Sequence, residues 1–264
     1  MQDKFSIVYS ERDPAGMNIA EELKKIRKEL NLLKVEKEII YAENIDKHEK
    51  IKDSDFIIFA SKHQSKKNIK SLSIHSPGNW GKAEFGGRVG KVCPASCFLN
   101  KLMFKILNEK ANGKRDYEIT LEVTHHGPYI EKPCLFIEIG SSEKEWEDKK
   151  LARIIAETII ETIERFGVLK EKWIPSIGIG SNHYCPNFNK IQASSNYALS
   201  HIIPNYVFPI TAEMVREGIE KTKEKIEVAI LDWKGMKSQE RKEAIKILEN
   251  FNIKYLRTDN MKKS

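Results

Sequence analysis

Short runs of apolar residues alternate with longer amphipathic stretches along most of this 264-residue chain. Short apolar runs bounded by turn-forming residues are typical of strands. They predict strands over 5–9, 39–40, 56–60, 117–124, 134–139, 173–179, 227–231 and 254–256. The run from Phe56 to Ala60 is unbroken, as expected for a strand that is covered on both faces. Because strands alternate with helical stretches, the pattern predicts an α/β protein.

The amphipathic stretches predict the helices that connect these strands. Asp13-Pro14 predicts the beginning of the first helix, since a carboxylate can cap free N–H groups and proline fits the first helical position. Further helices are predicted over 94–110, 143–166, 212–225 and 238–251. Ser142 and Glu145 have the spacing of a capping box at the start of the helix over 143–166.

One segment, 61–90, departs from this alternation. It is polar and glycine-rich, and it carries little periodicity beyond residues 72–75. Irregular segments of this length in compact domains are usually functional or disordered. Trp80 and Phe85 argue against disorder, because disordered segments are poor in aromatic residues. The chain has no internal repeat and no low-complexity linker, so we expect one domain over 1–264 with a functional segment at 61–90.

The charge of the chain leaves two interpretations open. Lysine and arginine number 45 against 38 aspartates and glutamates, which gives a net charge of +7 and a pI near 9.0. The lysines are scattered in pairs and do not form one block. This pattern is compatible with a Lys/Glu-rich surface of the kind common in proteins from hot environments, and equally with a surface that binds a nucleic acid.

Cysteine usage and the first residues predict a cytoplasmic protein. The four cysteines do not form the framework of a secreted domain, and Met-Gln-Asp-Lys-Phe at the start lacks the apolar core of a signal peptide. No apolar run approaches the roughly 20 residues that span a bilayer, so we expect no membrane partner.

The residues most able to do chemistry follow the predicted strands. Ligands of open α/β sheets bind outside the carboxyl ends of the strands, so polar residues at those ends are the first candidates. Glu138 and the stretch from Gly140 to Ser142 lie in and after one strand, and that stretch could offer backbone N–H groups to an anion. Five of the seven histidines lie at such ends or in the irregular segment: His63, His75, His125, His126 and His183.

His125 and His126 are adjacent at the end of a predicted strand. The alternation of side chains along a strand would send their rings to opposite faces. Gly127-Pro128 follows directly and can form a turn that brings both rings to one ion. Imidazole and carboxylate groups suit Zn²⁺, which lowers the pKa of a bound water to about 7 when one coordination position is open. The alternative, a pair of hydrogen-bonded surface residues, stays open at this point.

Two further residues have candidate roles. His63, in Lys-His-Gln-Ser, is compatible with a phosphate contact or with a solvated loop residue. Glu84, in Lys-Ala-Glu-Phe-Gly-Gly, is a candidate metal ligand or base.

Five motifs that occur in order along the chain resemble one known family. They are Asp13-Pro-Ala-Gly-Met-Asn-Ile19, Ser71-Leu-Ser-Ile-His-Ser-Pro-Gly-Asn-Trp-Gly-Lys-Ala-Glu-Phe-Gly-Gly87, Glu122-Val-Thr-His-His-Gly-Pro128, Phe136-Ile-Glu-Ile-Gly-Ser-Ser-Glu-Lys-Glu-Trp146 and Gly180-Ser-Asn-His-Tyr-Cys-Pro-Asn-Phe188. Together they resemble the archaeal and plant type of D-aminoacyl-tRNA deacylase. The resemblance implies zinc-dependent hydrolysis of the ester between a D-amino acid and the 3′ end of tRNA, with two ions per chain. It also implies a three-layer α/β/α fold with a central mixed, mostly parallel sheet, of the phosphorylase/hydrolase type and similar to peptidyl-tRNA hydrolase.

We assign roles on these motifs from side-chain chemistry. The expected metal ligands are His75, His125, His126 and Glu138. The expected catalytic residues, acting as general base or second ligand, are Glu84 and His183. The expected substrate and oxyanion contacts are Asn79, Trp80, Gly140, Ser141 and Ser142, with the loop around Asn79 and Trp80 selecting the D-configuration. The expected contacts to tRNA phosphates are Lys62, His63, Lys66, Lys67 and Lys82.

Two other functions remain as alternatives. A zinc-dependent peptidase or amidohydrolase on the same scaffold would hydrolyse free aminoacyl amides without tRNA. A non-enzymatic tRNA-binding module would bind tRNA in a strongly salt-dependent way and leave the ester intact. For the deacylase we expect a monomer that uses metal-activated water.

Overall fold

The computed structural model describes residues 3–65, 68–114 and 116–261. Its strands are β1 (Phe5–Ser10), β2 (Leu32–Val35), β3 (Phe56–Gln64), β4 (Ser71–His75), β5 (Glu118–Leu121), β6 (Cys134–Ser141), β7 (Ile174–Ser181), β8 (Tyr197–Pro204), β9 (Val228–Leu231) and β10 (Lys254–Arg257). Its α-helices are α1 (Pro14–Ile26), α2 (Cys97–Lys110), α3 (Glu143–Trp146), α4 (Lys149–Phe166), α5 (Pro186–Ser194), α6 (Ala212–Glu220) and α7 (Ser238–Asn250). Within these ranges, no helix has the length and apolar character to cross a bilayer.

The strands form two sheets, which confirms the predicted α/β class with mostly parallel strands. The first sheet has the order β2-β1-β3-β6-β4-β5, and the second has the order β10-β9-β7-β8. All pairs are parallel except β4 with β6, so β4 and β5 run against the other strands of the first sheet. The carboxyl ends of β3 and β6 therefore lie together at one edge, with the beginning of β4 beside them.

Helix α2 joins the cores of the two sheets. Its residues Leu99 and Met103 pack in the core of the first sheet, whereas Leu102 and Ile106 pack in the core of the second. All four side chains are at most 1% exposed. Spacings of three and four residues place such side chains on neighbouring helix faces, so one amphipathic helix is covered on two sides.

Helix α1 begins as the sequence predicts, and its cap reaches into the site region. The Asp13 carboxylate accepts hydrogen bonds from Gly16 N at 2.9 Å, from Ser61 Oγ at 3.0 Å and from Lys62 N at 2.8 Å. Asp13 is 5% exposed, and burial raises its pKa against the effect of these hydrogen bonds. The cap therefore ties the beginning of α1 to the carboxyl end of β3.

The second strand was predicted in the wrong place. Residues 32–35 form β2, which pairs with β1 in the register Ile7 with Leu32. Ile39–Tyr41 instead forms a short 3-10 helix, and Ile39 packs in the core on the opposite face of the first sheet. Two adjacent apolar residues are compatible with a strand, and equally with a helical turn in which one side chain is buried.

Two other predicted elements differ from the structure, and two elements were not predicted. Segment 61–90 is less irregular than predicted, because β3 continues to Gln64 by pairing with β6, and 71–75 forms β4. The helix predicted over 143–166 is divided into α3 and α4, where Asp148 caps a new helix by accepting from Lys150 N. Helix α5 and strand β8 were missed, and Ser200 and His201 interrupt the apolar run of β8.

Candidate metal centre between the two sheets

His63 and Glu138 are brought together by the pairing of β3 with β6. Ser61 is opposite Glu138 in the register, so His63 lies next to the carboxylate. His63 Nδ1 is 3.5 Å from Glu138 Oε2 and 3.1 Å from Glu122 Oε1. His63 is 6% exposed and Glu138 is 3% exposed. The carboxyl end of this strand pair thus supplies one imidazole and one carboxylate to a buried cluster.

The segment after β5 connects the two sheets and carries three more cluster residues: Glu122, His125 and His126. Val123 N donates to His183 O, and Thr124 N donates to Ile202 O, both at 3.0 Å. The segment therefore bonds to residues of the second sheet after it leaves the first. His126 has a φ of 45°, a left-handed conformation that is rare outside glycine and costs on the order of 1–3 kcal/mol. This turn is what brings the two adjacent rings together, with centroids 4.3 Å apart.

His75, His125 and His126 form the first group of possible ligands. One potential ligand atom from each lies within 4.8 Å of the other two. In each ring Nδ1 lies near a backbone carbonyl oxygen, at 3.3 Å from Ser76 O, 2.8 Å from Val123 O and 2.7 Å from Gly127 O. A carbonyl only accepts, so Nδ1 carries a proton in each ring, and in the neutral form of the ring Nε2 keeps its lone pair. This is the arrangement by which proteins orient metal-binding histidines.

His63, Glu122 and His183 form a second group, which shares no residue with the first. His183 Nε2 lies 3.2 Å from Glu122 Oε2. Tyr184, the next residue, places its hydroxyl 3.1 Å from His63 Nε2 and donates to Ser65 Oγ at 2.9 Å. Tyr184 therefore fixes the outer side of the His63 ring.

The donor set fits zinc. A third group, His75, Glu122 and Glu138, connects the first two. Among the described residues, His75 Nε2 and both carboxylate oxygens of Glu122 are buried and have no hydrogen-bond partner. Buried polar atoms without partners are costly, and imidazole with carboxylate is a common zinc donor set. Two groups without a common residue are compatible with two ions.

The electrostatics of the cluster keep the two carboxylates charged. Burial opposes ionisation of Glu138, but the neighbouring His63 and His75 outweigh it and lower its pKa to about 2. Burial opposes ionisation of Glu122 as well, and the neighbouring histidines, with His183 foremost, still lower its pKa well below the ordinary value. The cluster therefore presents two anionic groups to a cation.

The imidazoles divide into two kinds. Burial and the nearby His75 lower the pKa of His126 to about 4, and burial together with His126 lowers that of His125 well below its ordinary value. Burial also acts to lower the pKa of His63, but Glu138 and Glu122 outweigh it and raise the value to about 9. His125 and His126 are thus neutral at pH 7, which is the form that binds metals.

The structure brings most of the predicted ligands together and places several other candidates outside the cluster. His75, His125, His126, Glu138 and His183 all belong to the three groups. Glu84 is exposed and is in none of the groups found among the described residues. Whether it acts as a base stays a prediction.

The two residues predicted to select chirality are largely buried. Trp80 is 5% exposed and donates from Nε1 to Ile202 O at 3.2 Å, so it packs in the core of the second sheet. Asn79 is 7% exposed and donates to Gly86 O at 2.9 Å. Any effect of Asn79 on the substrate would therefore pass through the loop that contains Gly86.

The predicted oxyanion contacts are partly occupied. The amide of Ser142 donates to Glu145 Oε2 at 3.1 Å within the capping box, so it is not a free donor. Gly140 pairs with His63 on one side and with Ser71 on the other. Ser141 Oγ is buried and, within the described part of the chain, has no hydrogen-bond partner.

One predicted phosphate contact must be corrected. His63 does not lie on a surface loop, because the extra length of β3 carries it into the cluster. Lys82 is exposed, and Lys62 is half-buried with Nζ 5.2 Å from the Trp146 ring centroid. Lys66 and Lys67 lie outside the described residues.

Sequence reasoning missed Glu122 and Tyr184. Glu122 is 2% exposed and contacts His63, His125 and His183. A glutamate inside an apolar run next to two histidines was the available signal, because a buried carboxylate needs a charged partner or a metal. Tyr184 gave no comparable signal, since its contact with His63 depends on how the sheets meet.

Comparison with known proteins identifies the family of this chain. The profile of the family "D-aminoacyl-tRNA deacylase" matches residues 50–256. The chain is 37% identical to the D-aminoacyl-tRNA deacylase of Thermococcus onnurineus, over 86% of this chain and 83% of the relative. It is 33% identical to that of Methanocaldococcus jannaschii, over 96% of this chain and 99% of the relative.

A solved structure has the same fold over the whole chain. It is a crystal structure of a conserved protein of unknown function, with a TM-score of 0.91 and 31% identity, and the match covers 100% of this chain and 99% of that one. The family profile and the relatives agree with the resemblance of the five motifs. This chain belongs to the D-aminoacyl-tRNA deacylase family.

Proposed function

We propose that this chain hydrolyses the ester bond of D-aminoacyl-tRNA with zinc held by the histidine–glutamate cluster, releasing the free D-amino acid and tRNA. One observation carries the metal-dependent part: potential ligand atoms of His75, His125 and His126 lie within 4.8 Å of one another, beside the two buried carboxylates of Glu122 and Glu138. The family's activity, carried by the relatives named above, supplies the substrate. Bound zinc would polarise the ester carbonyl and make water a better nucleophile at neutral pH.

The chain's own residues hold and orient the metal site. We propose that His75, His125 and His126 bind one ion through Nε2. His63, Glu122 and His183 would bind a second, and Glu138 lies between the two groups. The backbone carbonyls of Val123 and Gly127 fix the proton of His125 and His126 on Nδ1, so these rings need no rearrangement before binding. A preformed site costs less to load than one that must be ordered.

The electrophile is an ester, which limits what else the chain must supply. An aminoacyl ester has a good leaving group, so polarisation and a positioned water suffice without a covalent intermediate. We propose that His183 handles a proton at the rim when it does not bind an ion, because its side chain is one-third exposed and its Nε2 lies beside Glu122. Glu84 remains a candidate for the same step, and the stretch from Gly140 to Ser142 remains a candidate donor to the oxyanion.

Recognition of tRNA falls to groups around the cluster. Lys62 and Lys82 are the described cations among those predicted to contact phosphates. Residues of both sheets contribute to the cluster within one chain, so we propose that the whole chain is one functional unit that acts as a monomer. Because charged tRNA serves cytoplasmic translation, we place this activity in the cytoplasm.

The test compares two histidine variants that differ only in location. His126→Ala removes a proposed ligand, whereas His48→Ala removes an exposed histidine outside the three groups. We expect His126→Ala to lose zinc, measured by elemental analysis, and to lose D-tyrosyl-tRNA hydrolysis, measured by release of the amino acid. His48→Ala should keep both. Normal zinc content and a normal rate in His126→Ala would place the site elsewhere.

A further inference from the structure

Phe85 is an exposed aromatic side chain on a tightly held loop. Its side chain is 61% exposed, among the largest values for bulky apolar residues in the described chain. Burial of such a ring typically stabilises a protein by about 1.5–3 kcal/mol, and here that contribution is largely forgone. Folding therefore does not explain why a phenylalanine stands at this position.

The loop beneath Phe85 is fixed by close backbone packing. Gly86 and Gly87 have φ values of 71° and 81°. A Cβ atom on Gly86 would lie 1.8 Å from Ile40 O, and one on Gly127 would lie 2.3 Å from Gly87 N. The three glycines thus allow backbone contact that other residues would prevent.

Polar contacts hold the same loop from two sides. Asn79 Nδ2 donates to Gly86 O at 2.9 Å. The Glu43 carboxylate accepts from Gly87 N at 2.7 Å with one oxygen and from Tyr129 N at 2.9 Å with the other. One buried amide and one bridging carboxylate therefore fix the backbone that carries the exposed ring.

The Phe85 backbone lies directly beside the histidine–glutamate cluster. Phe85 O accepts from Gly127 N at 2.9 Å, and Gly127 follows His126 in the chain. Gly127 O in turn accepts from the His126 ring at 2.7 Å. Phe85 and a proposed zinc ligand are hence fixed relative to each other through one residue.

Two cations flank Phe85 in sequence. Lys82 and Arg88 are both exposed, and the Arg88 guanidinium lies 4.2 Å from the Tyr129 ring centroid. Proteins bind single-stranded nucleic acids with exposed aromatic rings and nearby cations, because the bases stack on the rings while the phosphates contact the positive charges.

We propose that Phe85 is the stacking surface for the terminal adenine of the tRNA 3′ end. This inference rests on the proposed function, since the ester there is carried by the terminal ribose, and the base on that same ribose must lie near the reacting carbon. The occupant is the single-stranded acceptor end, with Lys82 and Arg88 beside its phosphates. Phe85 is a binding and positioning residue and does not take part in the chemical step.

The first test measures binding without any reaction. The probe is an oligoribonucleotide that ends in CCA, carries no amino acid and has its terminal adenine replaced by 2-aminopurine. Stacking is measured from the fluorescence of the 2-aminopurine. Phe85→Ala should raise the Kd roughly 5- to 150-fold, as expected for the loss of one base–aromatic stack. Phe85→Trp should retain binding, and Tyr255→Ala, an exposed aromatic on the distant edge strand β10, should match the wild type.

The second test separates the base from the amino acid. Phe85→Ala should raise KM for D-tyrosyl-tRNA and D-alanyl-tRNA by the same factor, with zinc content unchanged. A loss restricted to D-tyrosyl-tRNA, or wild-type binding of the 2-aminopurine probe by Phe85→Ala, would overturn the proposal. If wild-type protein binds the probe through Phe85 but hydrolyses no D-aminoacyl-tRNA, the proposed function fails and the stacking surface stands.

Discussion

His183 Nε2 lies 3.2 Å from Glu122 Oε2, although the two residues follow strands of different sheets. Glu122 directly follows β5 of the first sheet, and His183 follows β7 of the second. The hydrogen bond from Val123 N to His183 O fixes the two segments together beside this pair. The candidate site therefore forms where the two sheets meet. A change that separates the sheets would also separate its residues.

Glu122→Gln should weaken metal binding. The substitution keeps the shape of the side chain but removes the charge that faces His63, His125 and His183. We expect a loss of zinc affinity of at least about tenfold, with a parallel loss of deacylation. Titration with a zinc indicator measures it. Glu118→Gln, at the exposed beginning of β5, is the matched control, and equal affinities for the two variants would refute a role for Glu122.

Gly127→Ala should disrupt the loop that carries Phe85. A Cβ atom there would lie 2.3 Å from Gly87 N and 2.5 Å from Ile40 O, so the backbone must move. Overpacking of this kind costs about 1–3 kcal/mol, measured as the free energy of unfolding in urea. Gly81→Ala is the control, because nothing lies within 4 Å of its added Cβ. If both variants are equally stable, the loop is not packed as described.

Asp13→Ala should cost more stability than the removal of another helix cap. Both Asp13 and Asp148 cap a helix, but only Asp13 also accepts from Ser61 and Lys62 at the end of β3. Asp148→Ala should cost about 1 kcal/mol, and Asp13→Ala about 2–3 kcal/mol, because two further buried donors lose their partner. Chemical unfolding measures both.

The Asp13 variant also tests the position of His63. Lys62 N donates to the Asp13 carboxylate, so loss of this carboxylate should loosen the adjacent His63 and lower the zinc content. The Asp148 variant should bind zinc normally. A full zinc content in Asp13→Ala would show that the cap stabilises α1 without positioning the cluster.

Lys101 should make stability rise with pH between about 7 and 10. Burial, with the charge of Lys105, lowers its pKa from 10.5 to about 7, while its Nζ donates to Gln192 O and Tyr197 O. In this range the unfolded chain binds the proton that the folded chain has lost, so raising the pH favours folding by up to about 1.4 kcal/mol per unit. Below the folded pKa the penalty for the buried charge is complete.

Lys101→Met isolates that contribution. The lost hydrogen bonds lower stability equally at every pH, so only the slope of the unfolding free energy between pH 7 and 10 reports the proton. We expect the variant to lack this slope relative to the wild type. Lys190→Met, which removes an exposed lysine of α5, should leave the slope unchanged. Parallel curves for wild type and Lys101→Met would contradict the account.

Local patterns predicted the parts of the site that depend on neighbours in sequence. Strand alternation predicted that the His125 and His126 rings point to opposite faces, and the turn that brings them to one side was expected at Gly127-Pro128. The turn begins one residue earlier, in the left-handed conformation of His126, and the peptide bond between Gly127 and Pro128 is cis. Sequence could indicate that a turn was needed, but packing against Gly78, whose N donates to His126 O at 2.7 Å, selects its position.

Contacts between distant segments account for what sequence did not predict. Trp80 was expected to contact the substrate, yet it packs in the core of the second sheet and donates to Ile202 O. Strand β8 itself was missed because its polar residues are buried and paired, with His201 Nδ1 lying 3.1 Å from Thr124 Oγ1. Without β8 the second sheet lacks its inner edge, so the junction that creates the site could not be foreseen.

The most direct test of the central claim is D-tyrosyl-tRNA hydrolysis by zinc-loaded protein, chelator-stripped protein and stripped protein to which zinc is returned. The account predicts a rapid release of D-tyrosine by the first, little release by the second and recovery by the third, with L-tyrosyl-tRNA much slower throughout. An undiminished rate in the stripped protein, verified free of metal by elemental analysis, would contradict it.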